Sequence, residues 1–389
     1  MLRVPAATAL KRHTSVSSAS AISLVRNMSS SGAHFPSPSL QRWRDNVLKN
    51  TVVEHDTITA SPIQLLDTTL NMSLLSGALP HSTTSSVDQT KPVPIPANGS
   101  ILPPNYHMIY FPLRQPMAHL AEDGYDPTHA PPAPFLGRVW GGGSIELARG
   151  NPLRVGQDVT CTTRCKDVKW KQSRGKGDLI FVELEKVYTN KHGVALTDTR
   201  TLAYSIHEAN KPPSATKPNK DPKAFSKTVT ASQMASKVTK EHDFARVCKP
   251  DEVTLFRYSA LTFNCHRIHY DTPYARDVEG HPHCLVHGPL TSTILLDLMR
   301  GNLPKGYEVA AFRYRALRPL YVSHEMKVFG KELDLPTTTI QLGFGEHMVK
   351  GEKDLKVYDL WAIDGASGET AMRGTALLRK ISAAPRSKL

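Results

Sequence analysis

The chain has 389 residues, enough for two domains that each bury a core. Its 40% hydrophobic content, without any apolar run near the ~18 residues a helix needs to cross a bilayer, argues against a membrane span; five cysteines with no CxxC pair argue against a disulfide framework. The formal net charge of +13 is concentrated in residues 1–28 and 211–240, and no basic face interleaved with aromatics emerges, so nucleic-acid binding is disfavoured.

Residues 1–44 contain no Asp or Glu and are rich in Arg, Ser and Ala. That composition predicts a mitochondrial transit peptide over 1–28, processed after Met28, and hence a matrix location; Lys11 and Arg12 interrupt any secretory apolar core. A helix is expected over Asp56 to Asn71, with Ser61 as N-cap, Pro62 at its first position, and Ile63, Leu65, Leu66 and Leu70 on its apolar side. Residues 76–104 look like an exposed loop, His107 to Tyr110 a brief strand, and a second Pro-rich loop runs to Pro134. Strands are then expected at Gly143 to Leu147, Asp158 to Lys169, Leu179 to Tyr188 and Thr197 to Ile206. Asn190 to Gly193 supplies a hairpin turn, so these form an antiparallel meander.

Seven lysines against Asp221 mark 211–240 as a basic linker. The same order of elements then restarts, with a helix over Pro250 to Asn264. Ser61–Asn71 matches Thr254–Asn264 in length and ending, Gly150–Leu153 resembles Leu317–Leu320, and Asp178–Gly193 resembles Asp354–Gly368. Two divergent copies of one unit follow, 45–210 and 241–385. Where the second copy has His266 and His269, the first has Ser73 and Ser76, so only the second carries proton chemistry. The second copy also predicts a buried helix over Pro289 to Met299 and strands at Val309 to Arg315, Glu325 to Lys331, Thr337 to Gly343, Val357 to Ile363 and Glu369 to Leu378.

Two blocks, LTFNCHRIHYD (261–271) and VEGHPHCLVHGPL (278–290), bring a histidine, an amide and a glycine at a helix start into one stretch. An imidazole moves protons near neutral pH, and a helix N-terminus offers free N–H groups to an oxygen gaining negative charge. Together with FRYRALRPL (312–320), these blocks resemble the mitochondrial hydroxyacyl-thioester dehydratase type 2 family and the related mesaconyl-CoA hydratases, over about Asp56 to Arg379. The resemblance implies an α+β double hot dog fold, a pseudo-dimer within one chain whose C-terminal half is catalytic. It also implies a hydro-lyase dehydrating (R)-3-hydroxyacyl thioesters on acyl carrier protein, in mitochondrial fatty acid synthesis. Acyl-CoA is the alternative carrier, no cofactor is expected, and a homodimer is possible.

In that reading His269 is the general acid/base, Asn264 orients the water and the Gly288 N–H polarises the thioester oxygen. His266, Arg267, His287 and Tyr258 are candidate substrate contacts. Four have a plainer alternative: Asn264 as a helix C-cap, His266 as a loop support, Tyr258 as packing, Arg267 in an ion pair with Asp271 or Glu279. The wider hydratase motif, Asp-x-Asn-Pro-Leu-His, has aspartate where Asn264 stands and asparagine where His266 stands. The histidines and cysteines of 265–287 lack zinc-ligand spacing, so no metal is expected. Trp140 and Gly141 to Gly143 suggest either close passage of an acyl chain or a β-bulge. A non-catalytic acyl-binding subunit and a thioesterase are the rival classes.

Overall fold

The computed structural model describes residues 35, 37–72, 92–112, 114–173, 177–206, 241–335, 340, 344, 346–349, 352 and 354–381. The expected transit peptide, the linker, Ser73, Ser76 and most of the strand expected at Thr337 to Gly343 lie outside them.

Ten antiparallel strands form one continuous sheet. They are β1 (Thr51–Thr57), β2 (Gly137–Leu147), β3 (Asp158–Ser173), β4 (Gly177–Asn190), β5 (Gly193–Ser205), β6 (Phe244–Cys248), β7 (Tyr307–Ala316), β8 (Met326–Leu333), β9 (Lys356–Asp364) and β10 (Thr370–Lys380). Their spatial order is β1-β3-β4-β5-β2-β7-β10-β9-β8-β6. Outward from the centre, the halves run 2-5-4-3-1 and 7-10-9-8-6, the same topology twice. The seam is the β2–β7 ladder, from Gly142 opposite Arg315 to Glu146 opposite Ala311. β1–β5 fall within 45–210 and β6–β10 within 241–385, and one hydrophobic core runs through both halves.

The helices are α1 (Pro38–Val47), α2 (Ala60–Met72), α3 (Glu252–Thr262) and α4 (Gly288–Gly301). α2 and α3, the pair foreseen as repeats, pack on each other. α4 lies across β7, β8 and β9 and reaches β2, burying Leu290, Ile294, Leu295, Leu298 and Met299. This helix in the concave sheet gives the C-terminal half its hot dog form. Between α2 and β2, the only helical turns among the described residues are two 3-10 turns, Tyr106–Ile109 and Met117–His119. Asn105, with φ of 69°, donates through Nδ2 to Ser292 Oγ (3.0 Å) and Thr293 Oγ1 (2.8 Å), tying this segment to α4.

Several expectations need correction. His107 to Tyr110 is the 3-10 turn, because the buried His107 bonds Asp198 at 3.1 Å instead of joining a ladder. Asp56 and Thr57 belong to β1, paired with β3, so the helix begins at Ala60. The edge strands β1 and β6 and the helix α1 carry weak patterns and escaped notice. The Asn190/Gly193 hairpin forms as expected, with Gly193 at φ 106°.

Two isolated bridges deepen the symmetry: Ile101 with Arg154 and Leu285 with Tyr321. Beside them, Leu102 N donates to Leu153 O and Val286 N to Leu320 O, both at 2.8 Å. This register sets Pro103-Pro104 in the first half where His287-Gly288 stands in the second. Proline has no N–H, so the first half cannot offer the helix-start amide that Gly288 provides.

Candidate active site

α3 is capped by Asp251, whose side chain accepts from Thr254 N at 2.8 Å. It ends with Phe263 in the left-handed region at φ 51°, and Asn264 N closes the turn on Ser259 O at 2.9 Å. The left-handed cap residue is thus Phe263. Asn264 follows it, its Oδ1 accepting the His266 N–H at 3.1 Å, which leaves its Nδ2 as the unclaimed end.

The chain then turns through a 3-10 segment, Arg267–His269, that buries His269. The His269 Nδ1–H donates to Leu285 O at 2.8 Å, while Leu285 N donates to Ile268 O at 2.9 Å. One residue therefore clamps the histidine turn to the segment leading into α4. With Nδ1 as donor, Nε2 carries the free lone pair.

His269, Asn264, His266, Tyr258 and Gly288 all line one cavity of about 420 Å³. At Gly288 a Cβ would fall 2.8 to 3.0 Å from Trp140, so only glycine lets the indole lie against the start of α4. As the first residue of α4, Gly288 has its N–H among those with no acceptor inside the helix. The register slips between Trp140 and Gly142, so the glycine run is a β-bulge that re-aims the tryptophan.

Two sequence-predicted residues do not line the cavity. His287 is fully buried behind His269, the rings stacked with centroids 3.6 Å apart, and its Nε2 lies 2.9 Å from Ser259 Oγ. Arg267 pairs with Asp271 at 2.7 Å and stacks over Tyr274, the plainer of its two readings. Among the described residues no three His, Cys, Asp or Glu side chains converge as metal ligands.

Burial pushes the His269 imidazole down to about 4, against the opposing pull of the Leu285 carbonyl and with a further lowering by Arg138. His266 is pushed to about 2 by burial, then by Arg138 and the neighbouring histidines. His287 is lowered by burial and by its two neighbours. All three rings are neutral at pH 7, and His269 can accept a proton there. Sequence reasoning missed Asp123 and Arg138. Arg138 Nη2 donates to Asp123 Oδ2 at 2.6 Å, and the same oxygen lies 3.5 Å from His266 Nε2. The only signal was the Arg-x-Trp spacing that precedes the glycine run.

The fold is that of the MaoC-like dehydratases. One such enzyme superposes with a TM-score of 0.54 at 11% identity, covering 87% of this chain and 99% of that one. A MaoC domain protein dehydratase of Chloroflexus aurantiacus gives 0.50 at 15% identity, covering 91% and 100%. The hydroxyacyl-thioester dehydratase type 2 family pattern matches residues 105–322, more than half of the chain. The chain belongs to that family. It is 32% identical over 229 residues to mesaconyl-C(4)-CoA hydratase of Chloroflexus aurantiacus, covering 58% of this chain and 73% of the relative. It is 28% identical over 307 residues to the mitochondrial hydroxyacyl-thioester dehydratase type 2 of Schizosaccharomyces pombe, covering 71% and 89%.

Proposed function

We propose that the protein is a hydro-lyase that converts (R)-3-hydroxyacyl thioesters to trans-2-enoyl thioesters and water, acting on acyl carrier protein in mitochondrial fatty acid synthesis, in the matrix. The observation that carries this reading is the Leu285 clamp, which fixes an imidazole with a free Nε2 and a helix-start amide on one cavity wall.

The thioester oxygen accepts from the Gly288 N–H, which makes the C2 proton acidic by stabilising the enolate-like charge. His269 Nε2 takes that proton, the C3–O bond breaks, and the same imidazolium returns the proton to the departing hydroxyl, which leaves as water. Asn264 Nδ2 holds the leaving oxygen. An amide accepts no proton, so the one imidazole serves both half-steps, and His266 supports the turn. Mitochondrial location is supported by the acid-free N-terminus and by the compartment in the fission yeast relative's name.

The test is hydration of crotonyl and longer 2-enoyl thioesters, followed by loss of enoyl absorbance. His269→Ala is expected to lower kcat by about 100-fold or more; a variant as active as wild type would sink the assignment. A CoA-linked hydratase is the second reading, favoured by the 32% identical relative. Turnover on a carrier protein no faster than on the CoA thioester would decide for it.

A further inference from the structure

The turn that carries the acid/base residues belongs to the C-terminal half, yet it is docked against a loop of the N-terminal half. Residues 121–125 close on themselves, with Gly124 N donating to Ala121 O at 2.8 Å and Ala121 N to Tyr125 O at 2.9 Å. The tip of this loop meets the turn through its backbone: Asp123 O accepts the Arg267 N–H at 2.8 Å, and Gly124 O accepts from Cys265 Sγ at 2.7 Å. Gly124 has φ of 81°, and a Cβ on it would collide with Cys265 O, so the two segments meet with no room for a side chain.

The side chains continue this contact. The Asp123 carboxylate is fixed from two directions, Oδ1 accepting from Tyr125 N at 3.0 Å and Oδ2 from Arg138 Nη2 at 2.6 Å. Arg138, on β2, is itself buried, and its guanidinium lies 3.7 Å from the centre of the Tyr125 ring. His266 Nε2 lies 3.5 Å from the same Oδ2, has no hydrogen-bond partner, and belongs to a ring that is 5% exposed. A buried nitrogen in that state is held by what surrounds it, and the surroundings here are the Asp123–Arg138 pair. The His266 backbone N–H in turn donates to Asn264 Oδ1, and its ring meets His269 edge-on at 5.6 Å. Displacing the pair therefore disturbs both the amide at the leaving oxygen and the base. Asp126, further along the loop, takes no part, since its Oδ1 accepts from Thr128 N and Oγ1.

We infer that Asp123 and Arg138 are positioning residues of the dehydration: from the half that lacks acid/base chemistry, they set His266, and through it Asn264 and His269, in the geometry the reaction needs. The inference rests on the hydro-lyase reading and extends its machinery to both halves of the chain. Arg138 also acts through its charge, which disfavours protonation of His266 and of His269. The other ionisable groups against these rings are His287 at the start of α4, Tyr258 of α3 beside His287, and His281, which acts on His266.

Crotonyl-CoA hydration by the full chain tests this, with kcat and KM separated, the pH profile recorded and the urea midpoint measured beside them. Asp123→Asn keeps the shape and an acceptor for Arg138 but removes the charge; kcat should fall about tenfold with KM little changed. Arg138→Met leaves Asp123 as an unpaired carboxylate beside the imidazoles. Its kcat should fall at least as far, and the acidic limb should move upward from its position near 4, whereas Asp123→Asn should hold or lower it. Arg138→Lys retains the charge and should restore the limb and part of kcat; with Asp123→Asn it carries the test if Arg138→Met fails to fold. The double variant should lose no more kcat than the worse single, because the two residues act as a unit, and losses that multiply would overturn the pairing. Wild-type kcat and an unmoved limb in the single variants, even with a lower urea midpoint, would overturn the inference and leave the hydro-lyase reading intact. Absence of hydration by wild type would overturn that reading, and this inference with it.

Discussion

The imidazole of His269 lies flat on that of His287, with ring centroids 3.6 Å apart and planes 18° from parallel. Protonating either ring would set a charge against the other in a buried site. The stack therefore favours two neutral rings, and it fixes the plane in which His269 Nε2 faces the cavity.

The first prediction concerns acid stability. In the unfolded chain these histidines titrate near 6.5, whereas in the fold His269 is held to about 4 and His266 to about 2. Above 6.5 neither state binds the protons and the term is silent. As pH falls below that value, the unfolded chain takes up protons that the fold refuses. Each ring then removes about 1.4 kcal/mol of stability per pH unit. The urea midpoint should fall steadily from pH 6.5 to 4.5, by several kcal/mol in free energy. A midpoint flat over that interval would mean that the rings are not buried and neutral.

How much of this site was legible in the sequence follows from distance along the chain. His269, Asn264 and Gly288 sit in two adjoining blocks, and one stretch of residues was enough to find them. The Leu285 carbonyl that sets the tautomer of His269 is a backbone atom, which no side-chain pattern marks. Asp123 and Arg138 reach His266 from the other half of the molecule, so only the folded sheet joins them. Arg267 looked like a ligand contact because it lies inside the motif, but the 3-10 turn aims it outward to Asp271. The edge strand β1 was missed because its residues alternate between exposed and half-buried positions with little apolar contrast, and β6 because its five residues, four of them buried, are too short a run to show a period.

Arg267→Ala should accordingly leave KM and kcat within about twofold of wild type, since an exposed ion pair contributes little. Steady-state kinetics on crotonyl and longer 2-enoyl thioesters checks this. A large rise in KM would return Arg267 to its role as a substrate contact.

Gly288→Ala places a methyl 2.8 to 3.0 Å from Trp140, and the indole or the start of α4 must move. Overpacking of this kind costs about 1 to 3 kcal/mol, and a displaced amide should lower kcat by about 100-fold. Adding Trp140→Leu opens the space and should recover most of the lost stability and part of kcat. Recovery of neither would place the defect elsewhere than in this contact.

His287→Ala removes the surface on which His269 rests, and Ser259→Ala removes the hydrogen bond that holds His287 at 2.9 Å. Both should lower kcat with KM little changed, the first by about tenfold and the second by less, because the reacting nitrogen is misaligned without loss of a substrate contact. A rise in KM at constant kcat in either variant would instead make His287 a binding residue.

Asn264 offers the sharpest test, because two substitutions separate its structural role from its chemical one. Its Oδ1 accepts the His266 N–H, and its Nδ2 is the donor left for the leaving oxygen. Asn264→Ala removes both functions. The buried amide it strands should cost about 1 to 3 kcal/mol, and kcat should fall by about tenfold or more. Asn264→Asp keeps the acceptor and so should keep the turn and the melting temperature. It also brings a carboxylate to the wall that holds His269, and an opposite charge favours imidazolium, so the acidic limb of the rate profile should move upward from its position near 4. If the aspartate variant retains stability but its limb does not move, Asn264 and His269 do not act on the same substrate.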